Sequence, residues 1–195
     1  MRTSITQSDL LTDLRHRIEQ HCTLVATTFQ PLDHQIIVWK SKPTEWNIGQ
    51  CFDHLSLTHD YYRRKLAPAL AHPQQSRPAA DYYHASFWAG IYMYFAFNPR
   101  HSFPTAEMIT PRQVVQETVF TQYLVKQDIL VKLLDQLNMI DLCRTRVQIE
   151  KGVRFNLGDC LKILVYHDAL HIHQAQRVLN KYHHGYPTTR PPVVC

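Results

Sequence analysis

Two histidines spaced four residues apart are the first feature of this sequence that could do chemistry. His167 and His171 lie in a leucine-rich segment, and residues four apart share one face of a helix. One metal ion can therefore bind both imidazole rings. A third histidine, His54, lies far upstream. Three imidazoles leave one position of a tetrahedral ion open for water or substrate, which is typical of catalytic rather than structural metal sites.

The spacing of this pair needs support from other observations, because the chain has 13 histidines among 195 residues. Chance alone gives about one pair at any chosen spacing in such a chain. His167 and His171 fall on the core-facing side of a predicted helix, and His54 lies next to the apolar face of another. A buried imidazole needs a partner, since an unsatisfied buried polar group costs about 1–3 kcal/mol. Two interpretations stay open here: a shared metal ion, or hydrogen-bonded core histidines. The other ten histidines are predicted to lie at the surface.

Four neighbouring side chains could support such a site. Asp53, Asp168 and Gln174 are candidates to accept an imidazole N–H, as the partners of metal-binding histidines do. Gln174 is preferred because it lies about one turn beyond His171 on the same face, whereas Asp168 could instead face a neighbouring helix. Cys51 is a candidate extra ligand or supporting group, although a small buried residue is the simpler interpretation.

Signatures of several other enzyme classes are missing from the sequence. It has no serine nucleophile elbow, no phosphate-binding loop, no dinucleotide glycine pattern and no His-Glu-x-x-His. The residue after His167 is Asp168, so the general base of a zinc protease is not in its usual place. No convincing general base is found elsewhere.

Length and composition predict one domain spanning residues 1–195, with 45% hydrophobic content to build its core. The net charge is +5, but Lys and Arg are scattered, so we expect a solvated basic face and no nucleic-acid partner.

No apolar stretch reaches the roughly 18 residues of a membrane span. The N-terminal residues lack the apolar core of a signal peptide, and the five cysteines include no Cys-x-x-Cys. We therefore expect a cytoplasmic protein with reduced thiols.

Four segments with helical periodicity must position these side chains. Each follows a residue that can cap a helix, with Asp or Gln three positions later to complete a capping box: Thr6, Asn47, Thr110 and Asn156. Pro31 and Pro68 are predicted to end the first and second helices, and Gly185 or Pro187 the fourth. The second and fourth helices begin alike, because residues 46–51 and 155–160 both read aromatic, Asn, aliphatic, Gly, one further residue and Cys.

A long connection, at about residues 68–110, joins the second and third helices. It contains several prolines and an aromatic middle at residues 87–97. A connection of this length is usually functional or partly structured, and parallel neighbours in a four-helix bundle need such a crossover. Residues 146–155 alternate weakly and are predicted to be extended.

The two helix starts and the histidines resemble the DinB/YfiT-like family. Residues 46–55, with a Trp, a capping residue and a His-Leu ending, are similar to one motif of that family. Residues 156–174, with His-x-x-x-His and a following Gln, are similar to the family's last helix. The order and spacing of the motifs and the length of the chain agree, so the resemblance covers most of the sequence.

The resemblance implies an all-α fold, a four-helix bundle with a long crossover between helices 2 and 3. It also implies a divalent metal ion, zinc or nickel, held by His54, His167 and His171. Some family members are thiol-dependent S-transferases that use a low-molecular-weight thiol such as bacillithiol or mycothiol. The aromatic segment at residues 81–103 departs from the simplest members. It could roof the site, or it could pack against the bundle or a dimer partner.

Two hypotheses follow. The first is a metalloenzyme in which the ion lowers the pKa of a bound thiol or water, for S-transfer to a small electrophilic substrate or for hydrolysis. The second is a non-catalytic bundle that keeps the histidines as a metal site or polar core and forms a homodimer through its aromatic crossover.

Overall fold

The chain folds into a mostly helical structure, seen in a computed structural model that describes residues 5–72, 82–96 and 105–185. These ranges contain six α-helices: α1 (Gln7–Leu24), α2 (His34–Val38), α3 (Ile48–Ala71), α4 (Phe87–Ala96), α5 (Val119–Asp135) and α6 (Leu157–Gly185). They also contain four short strands: β1 (Ile5–Thr6), β2 (Tyr82–Tyr83), β3 (Arg146–Glu150) and β4 (Val153–Asn156). A π-helical turn, Val25–Phe29, extends α1, and a 3-10 turn, Glu107–Ile109, precedes α5.

The four long helices contact one another in a closed ring. Helix α3 packs against both α5 and α6, and α1 also packs against both. Strands β1 and β2 pair antiparallel, and β3 and β4 form an antiparallel hairpin at residues 146–156, where the weak alternation predicted an extended chain but not its pairing. Gly152 lies between these two strands with φ of 83°, a backbone conformation that glycine adopts without strain. In the described parts of the chain, no helix combines the length and the apolar character that a membrane span requires.

Three of the predicted helix starts are confirmed. The Thr6 hydroxyl accepts from the backbone N–H of Asp9 (3.0 Å), so α1 begins where its cap predicted. A full capping box begins α3, since the Asn47 side chain accepts from Gln50 N–H (2.7 Å) and the Gln50 side chain accepts from Asn47 N–H (3.3 Å). At the start of α6, the Asn156 side chain accepts from the backbone N–H of Asp159 (2.6 Å). The first helical segment ends before Pro31, as predicted, and α6 is described as far as Gly185.

The prediction that Pro68 ends the second helix is wrong. Helix α3 continues through Pro68 to Ala71. Proline removes one backbone donor and crowds the preceding turn, which breaks a helix mainly in its interior. Pro68 lies in the exposed last turn, where a single hydrogen bond is lost and the chain can adjust.

The predicted start of the third long helix at Thr110 is also wrong, because α5 begins at Val119. Side chains of α3 bind the backbone that was expected to be helical. The Gln50 amide donates to the Arg112 carbonyl (3.2 Å), and the Arg112 N–H donates to the Asp53 carboxylate (2.8 Å). These bonds hold residues 110–112 in a non-helical conformation. The tertiary contacts therefore override the tendency of Thr110 to begin a helix.

The crossover is partly described. Its aromatic middle forms the short helix α4, in which Phe87 and Trp88 are largely exposed, and β2 pairs with β1 at the start of α1. The prolines at 73, 78, 99 and 104 and Pro187 lie outside the described residues.

Each repeated helix start packs closely against a different part of the chain between α3 and α5. Gly158 at the start of α6 lies under Tyr83, so close that a Cβ there would be 2.5 Å from the ring. Gly49 at the start of α3 lies under Val115, where a Cβ would be 2.6 Å from the side chain. Glycine is needed at both positions because a side chain from another segment packs against the helix at this distance. The shared sequence pattern therefore serves the same packing role twice.

Buried apolar residues form two clusters. Helices α3, α5 and α6 each contribute to both, and α1 does so together with its π-helical turn. One cluster includes Leu14, Ile18, Tyr61, Leu66, Leu130, Leu161 and Val165. The other includes Val25, Phe29, Phe52, Leu55, Tyr123, Ile172 and Ala175. Along every long helix, a polar residue lies where one cluster gives way to the other: His21, His59, Gln127 and Asp168. We call these four residues the polar layer.

Candidate metal centre

Helices α3 and α6 bring His54, His167 and His171 together, although 113 positions separate the first two. His54 is buried, with 2% of its surface exposed, and the other two are half-buried. The ring centroids are 5.0 Å apart for His54 and His167, and 4.5 Å apart for each of the other two pairs. The fold therefore gathers the predicted histidines into one compact group.

The nitrogen positions fit a metal ion. The Nε2 atoms of His54 and His167 are 3.3 Å apart, and one ligand atom from each of the three histidines lies within 4.8 Å of the others. Two nitrogens bound to zinc at roughly 2.0–2.1 Å and at a tetrahedral angle would be about 3.3–3.4 Å apart. Among the described residues, this is the group of His, Cys, Asp or Glu side chains that could hold an ion.

The orientation of His54 is set by a backbone carbonyl. Its Nδ1–H donates to the Ile109 oxygen at 2.6 Å, and a carbonyl can only accept. The proton of the neutral ring is thereby fixed on Nδ1, and Nε2 presents its lone pair toward His167. A second hydrogen bond of this kind is what orients metal-binding histidines in other proteins.

His171 is oriented by Gln174, the partner that helical spacing favoured. The Gln174 Oε1 accepts from the His171 Nδ1–H at 2.8 Å, which leaves Nε2 of His171 free to bind an ion. The indole of Trp46 covers both rings, with centroids 4.9 Å from His54 and 5.7 Å from His171. Trp46 was part of the sequence motif, but its contact with the site was not predicted.

Burial keeps all three imidazoles neutral. Loss of hydration lowers the pKa of His54, and it lowers the pKa of His167 well below the usual value, with further lowering by the neighbouring His171 and His54. The same loss of hydration, followed by the charge of His54, lowers the pKa of His171 to about 4. A neutral imidazole is the form that binds metal, so little proton competition opposes binding near neutral pH.

The stability of the metal-free protein is expected to fall as pH decreases from 6.5 toward about 4. An unfolded histidine takes up a proton near pH 6.5, whereas folded His171 stays neutral until about pH 4. The unfolded state therefore binds more protons across this window, and each such proton lowers the free energy of unfolding by about 1.4 kcal/mol per pH unit. Above the window this contribution is absent.

Urea unfolding across this pH range measures the effect. Replacing His171 by Gln should make the stability less dependent on pH, by roughly one proton. The matched control is His173→Gln, which removes an exposed histidine from the same helix. Equal slopes in wild type and His171→Gln would show that this imidazole is not held neutral by the fold.

The other predicted partners lie elsewhere. Asp53 accepts from Arg112 rather than from a histidine, and Asp168 accepts from His59 rather than from the three-histidine group. Cys51 is fully buried in an apolar cluster, and burial raises the pKa of its thiol to about 12. A thiol with so high a pKa is a poor metal ligand at neutral pH, because the thiolate is the form that binds.

His59 corrects the expectation that the remaining histidines lie at the surface. It is 5% exposed, and its Nε2 lies 3.0 Å from both oxygens of Asp168. Gln127, fully buried on α5, donates to the same carboxylate at 2.8 Å. A signal was available in the sequence, because His59 lies four residues after Leu55 and three before Tyr62, on the apolar face of α3.

The fold and the site together define a class: a helical protein with a group of three histidines that could hold a metal ion. Comparison with protein families agrees, since the sequence profile of the DinB superfamily matches residues 17–175. The match covers most of the chain, and the protein belongs to the DinB superfamily. No curated protein and no solved structure matches the chain significantly.

Proposed function

We propose that the protein is a metal-dependent enzyme whose divalent ion is held by Nε2 of His54, His167 and His171. The observation that supports this most strongly is the fit of the nitrogen positions, with 3.3 Å between two Nε2 atoms and all three ligand atoms within 4.8 Å. Two of the rings also have their Nδ1 protons bound to Ile109 and Gln174, which leaves Nε2 available. Imidazole nitrogens suit zinc and nickel, and we propose one of these as the ion.

We propose thiol-dependent S-transfer as the reaction. A bound divalent ion would supply Lewis acidity that lowers the pKa of a thiol or a water in its open position. A free cysteine thiol has a pKa near 8.5, and water has one near 15.7, so a thiol needs the smaller shift. The sulfur would form a bond to an electrophilic carbon of the small-molecule substrate. The leaving group would depart with its electron pair, and the thiol proton would pass to solvent.

The two carboxylates next to the metal-binding histidines in sequence are both paired, and this favours the thiol over metal-assisted hydrolysis, which is the close variant. Asp53 and Asp168 are the acidic residues adjacent to the metal-binding histidines in sequence. The Asp53 carboxylate accepts from Arg112, and the Asp168 carboxylate accepts from His59 and Gln127. Neither is available as a general base for water, whereas a thiol of lowered pKa ionises without one.

The domain organisation and the location of the protein are part of the same proposal. We propose that α1, α3, α5 and α6 are the four helices of one DinB-like bundle domain, with residues 68–110 as its crossover. We further propose a cytoplasmic location, where low-molecular-weight thiols are reduced, and no nucleic-acid or membrane partner.

One observation favours the second candidate, a non-catalytic bundle that dimerises through the crossover. Phe87 and Trp88 on α4 are 63% and 69% exposed. The two rings contact each other, and a contiguous exposed apolar patch can mark an interaction surface. Analytical ultracentrifugation of wild type and Trp88→Ser tests this candidate, since a dimer that persists in the variant would contradict it.

A thiol-transfer screen tests the enzyme proposal. Protein stripped of metal, then loaded with zinc or nickel, is incubated with bacillithiol, mycothiol or glutathione and with an epoxide or a chlorinated aromatic. We expect product only with the loaded protein and only when a thiol is present. Product formed equally by the metal-free protein would contradict metal dependence, and product formed without any thiol would identify hydrolysis instead.

A further inference from the structure

The segment that carries the Ile109 carbonyl is bound tightly to the helix that carries His54. We call residues 107–112 the strap. Three side chains from consecutive turns of α3 bind it: Gln50 donates to the Arg112 carbonyl (3.2 Å), Asp53 accepts from the Arg112 N–H (2.8 Å), and His54 donates to the Ile109 carbonyl (2.6 Å). The strap is thus held by the neighbours of a metal-binding histidine.

Asp53 holds the strap most firmly. It is 1% exposed, whereas the Arg112 side chain is half-exposed, so the guanidinium reaches into the protein from the surface. The Arg112 Nε lies 3.1 and 3.2 Å from the two Asp53 oxygens, Nη2 contacts one of them, and the backbone N–H makes a further bond. A bidentate guanidinium–carboxylate pair fixes geometry as well as charge. The position of residue 112 is therefore strongly determined.

Close packing continues the attachment beyond the strap. Val115 lies against Gly49 at the start of α3, where a side chain on residue 49 would overlap it. Pro111, which lies between the bonded residues Ile109 and Arg112, is buried. The strap therefore has little freedom to move away from α3. The Ile109 carbonyl, three residues before Arg112, is held in place for the same reason.

We propose that Asp53 and Arg112 are positioning residues that hold the Ile109 carbonyl against His54, so that Nε2 of His54 is the nitrogen presented to the metal. This rests on the proposed metal site for its functional meaning, but the orientation of His54 is a property of the metal-free protein. If the carbonyl moves away, the imidazole can carry its proton on Nε2 instead, and that nitrogen then cannot bind an ion. The strap thereby links the crossover to metal affinity.

Nitrogen–proton correlation spectra of the histidine rings in the metal-free protein test the first half of the proposal. Wild type should show His54 as a single Nδ1–H tautomer. Asp53→Asn should show a mixture of tautomers, and Arg112→Ala a smaller change, since its backbone N–H still bonds Asp53. A purely structural role for the ion pair would lower stability without changing the His54 tautomer.

Metal affinity, measured by competition with a chromophoric chelator, tests the second half. Asp53→Asn should lower the affinity for Zn²⁺ by about 10- to 100-fold, as loss of a supporting partner does in other metal sites, and Arg112→Ala by about tenfold or less. The matched control is Asp60→Asn, which breaks an ion pair of α3 with Lys126 on α5 (2.7 Å) away from the strap. Its affinity should stay within about twofold of wild type.

The outcomes separate this proposal from the metal site itself. The strap proposal is wrong if Asp53→Asn keeps both the wild-type tautomer and the wild-type affinity while His54→Ala loses affinity. If wild type takes up no metal, the proposed function fails, and the tautomer alone decides the role of the strap. If Asp53→Asn does not fold, Arg112→Ala decides through the same two readouts, because its side chain lies at the surface.

Discussion

Replacing His167 by Ala is expected to lower the affinity of the protein for Zn²⁺ by more than about 100-fold. The change removes one of three ligands, and its Nε2 lies 3.3 Å from that of His54. Loss of a partner that merely supports a ligand costs about 10- to 100-fold, so loss of the ligand itself should cost more. Competition with a chromophoric chelator measures the affinity, and unfolding of the metal-free variant shows whether the fold is retained.

His173→Ala is the matched control for this variant. His173 is exposed and lies on the same helix two residues beyond His171, so its loss should leave the affinity for Zn²⁺ unchanged. Equal losses in the two variants would mean that zinc binds to surface histidines rather than to the three-histidine group. Unchanged affinity in His167→Ala would exclude this residue as a ligand.

Asp168→Ala should produce the largest loss of stability, about 3–5 kcal/mol in the free energy of unfolding. Its buried carboxylate accepts from His59 (3.0 Å) and from Gln127 (2.8 Å), and both donors are themselves buried. Removing one member of a buried pair leaves its partners without compensation, which is what makes such changes costly. Urea unfolding of the metal-free variant gives the measurement.

The control for Asp168 is Asp128→Ala on α5. Asp128 is exposed and pairs with Lys132 at 2.7 Å, one turn along the same helix. Exposed pairs of this kind contribute about 0.3–0.5 kcal/mol. Asp168→Ala would contradict the role of the polar layer if it cost no more than the control. Because the carboxylate does not contact the metal-binding rings, Zn²⁺ affinity should fall less in Asp168→Ala than in His167→Ala.

Local signals in the sequence were enough to predict where α3 and α6 begin. The capping side chains of Asn47 and Asn156 bond to backbone only three residues away, so the local sequence was enough to predict these two starts. Helical spacing likewise predicted the Gln174 contact with His171, since both lie on one face of a single helix. The prediction that histidines of α3 and α6 form one site rested on the family resemblance as well.

Contacts between distant segments could not be predicted in this way. Thr110 and Pro111 carry a strong helix-start signal, yet Gln50 and Asp53, about 60 positions earlier, bind that backbone in another conformation. The partner of Asp53 was unpredictable for the same reason, because any cation in the chain could have reached it. Local propensity decides a helix start only when no tertiary contact of similar strength competes.

The polar layer shows a signal that was present but not used. His59 and Gln127 occupy positions on the apolar faces of α3 and α5, at spacings of three or four from buried neighbours. A polar residue at such a position must find a buried partner, and Asp168 on α6 meets both. Reading polar residues on apolar faces as a set would have predicted a network between helices.

Anomalous scattering from crystals of the zinc- or nickel-loaded protein, prepared without a histidine tag, tests the central claim most directly. Maps recorded at the absorption edge of the metal identify the ion and locate it. We predict one strong peak about 2.0–2.1 Å from the Nε2 atoms of His54, His167 and His171, with a position left open to solvent. A map without a peak among these three rings, or with its strongest peak at the exposed His183 and His184, would contradict the account.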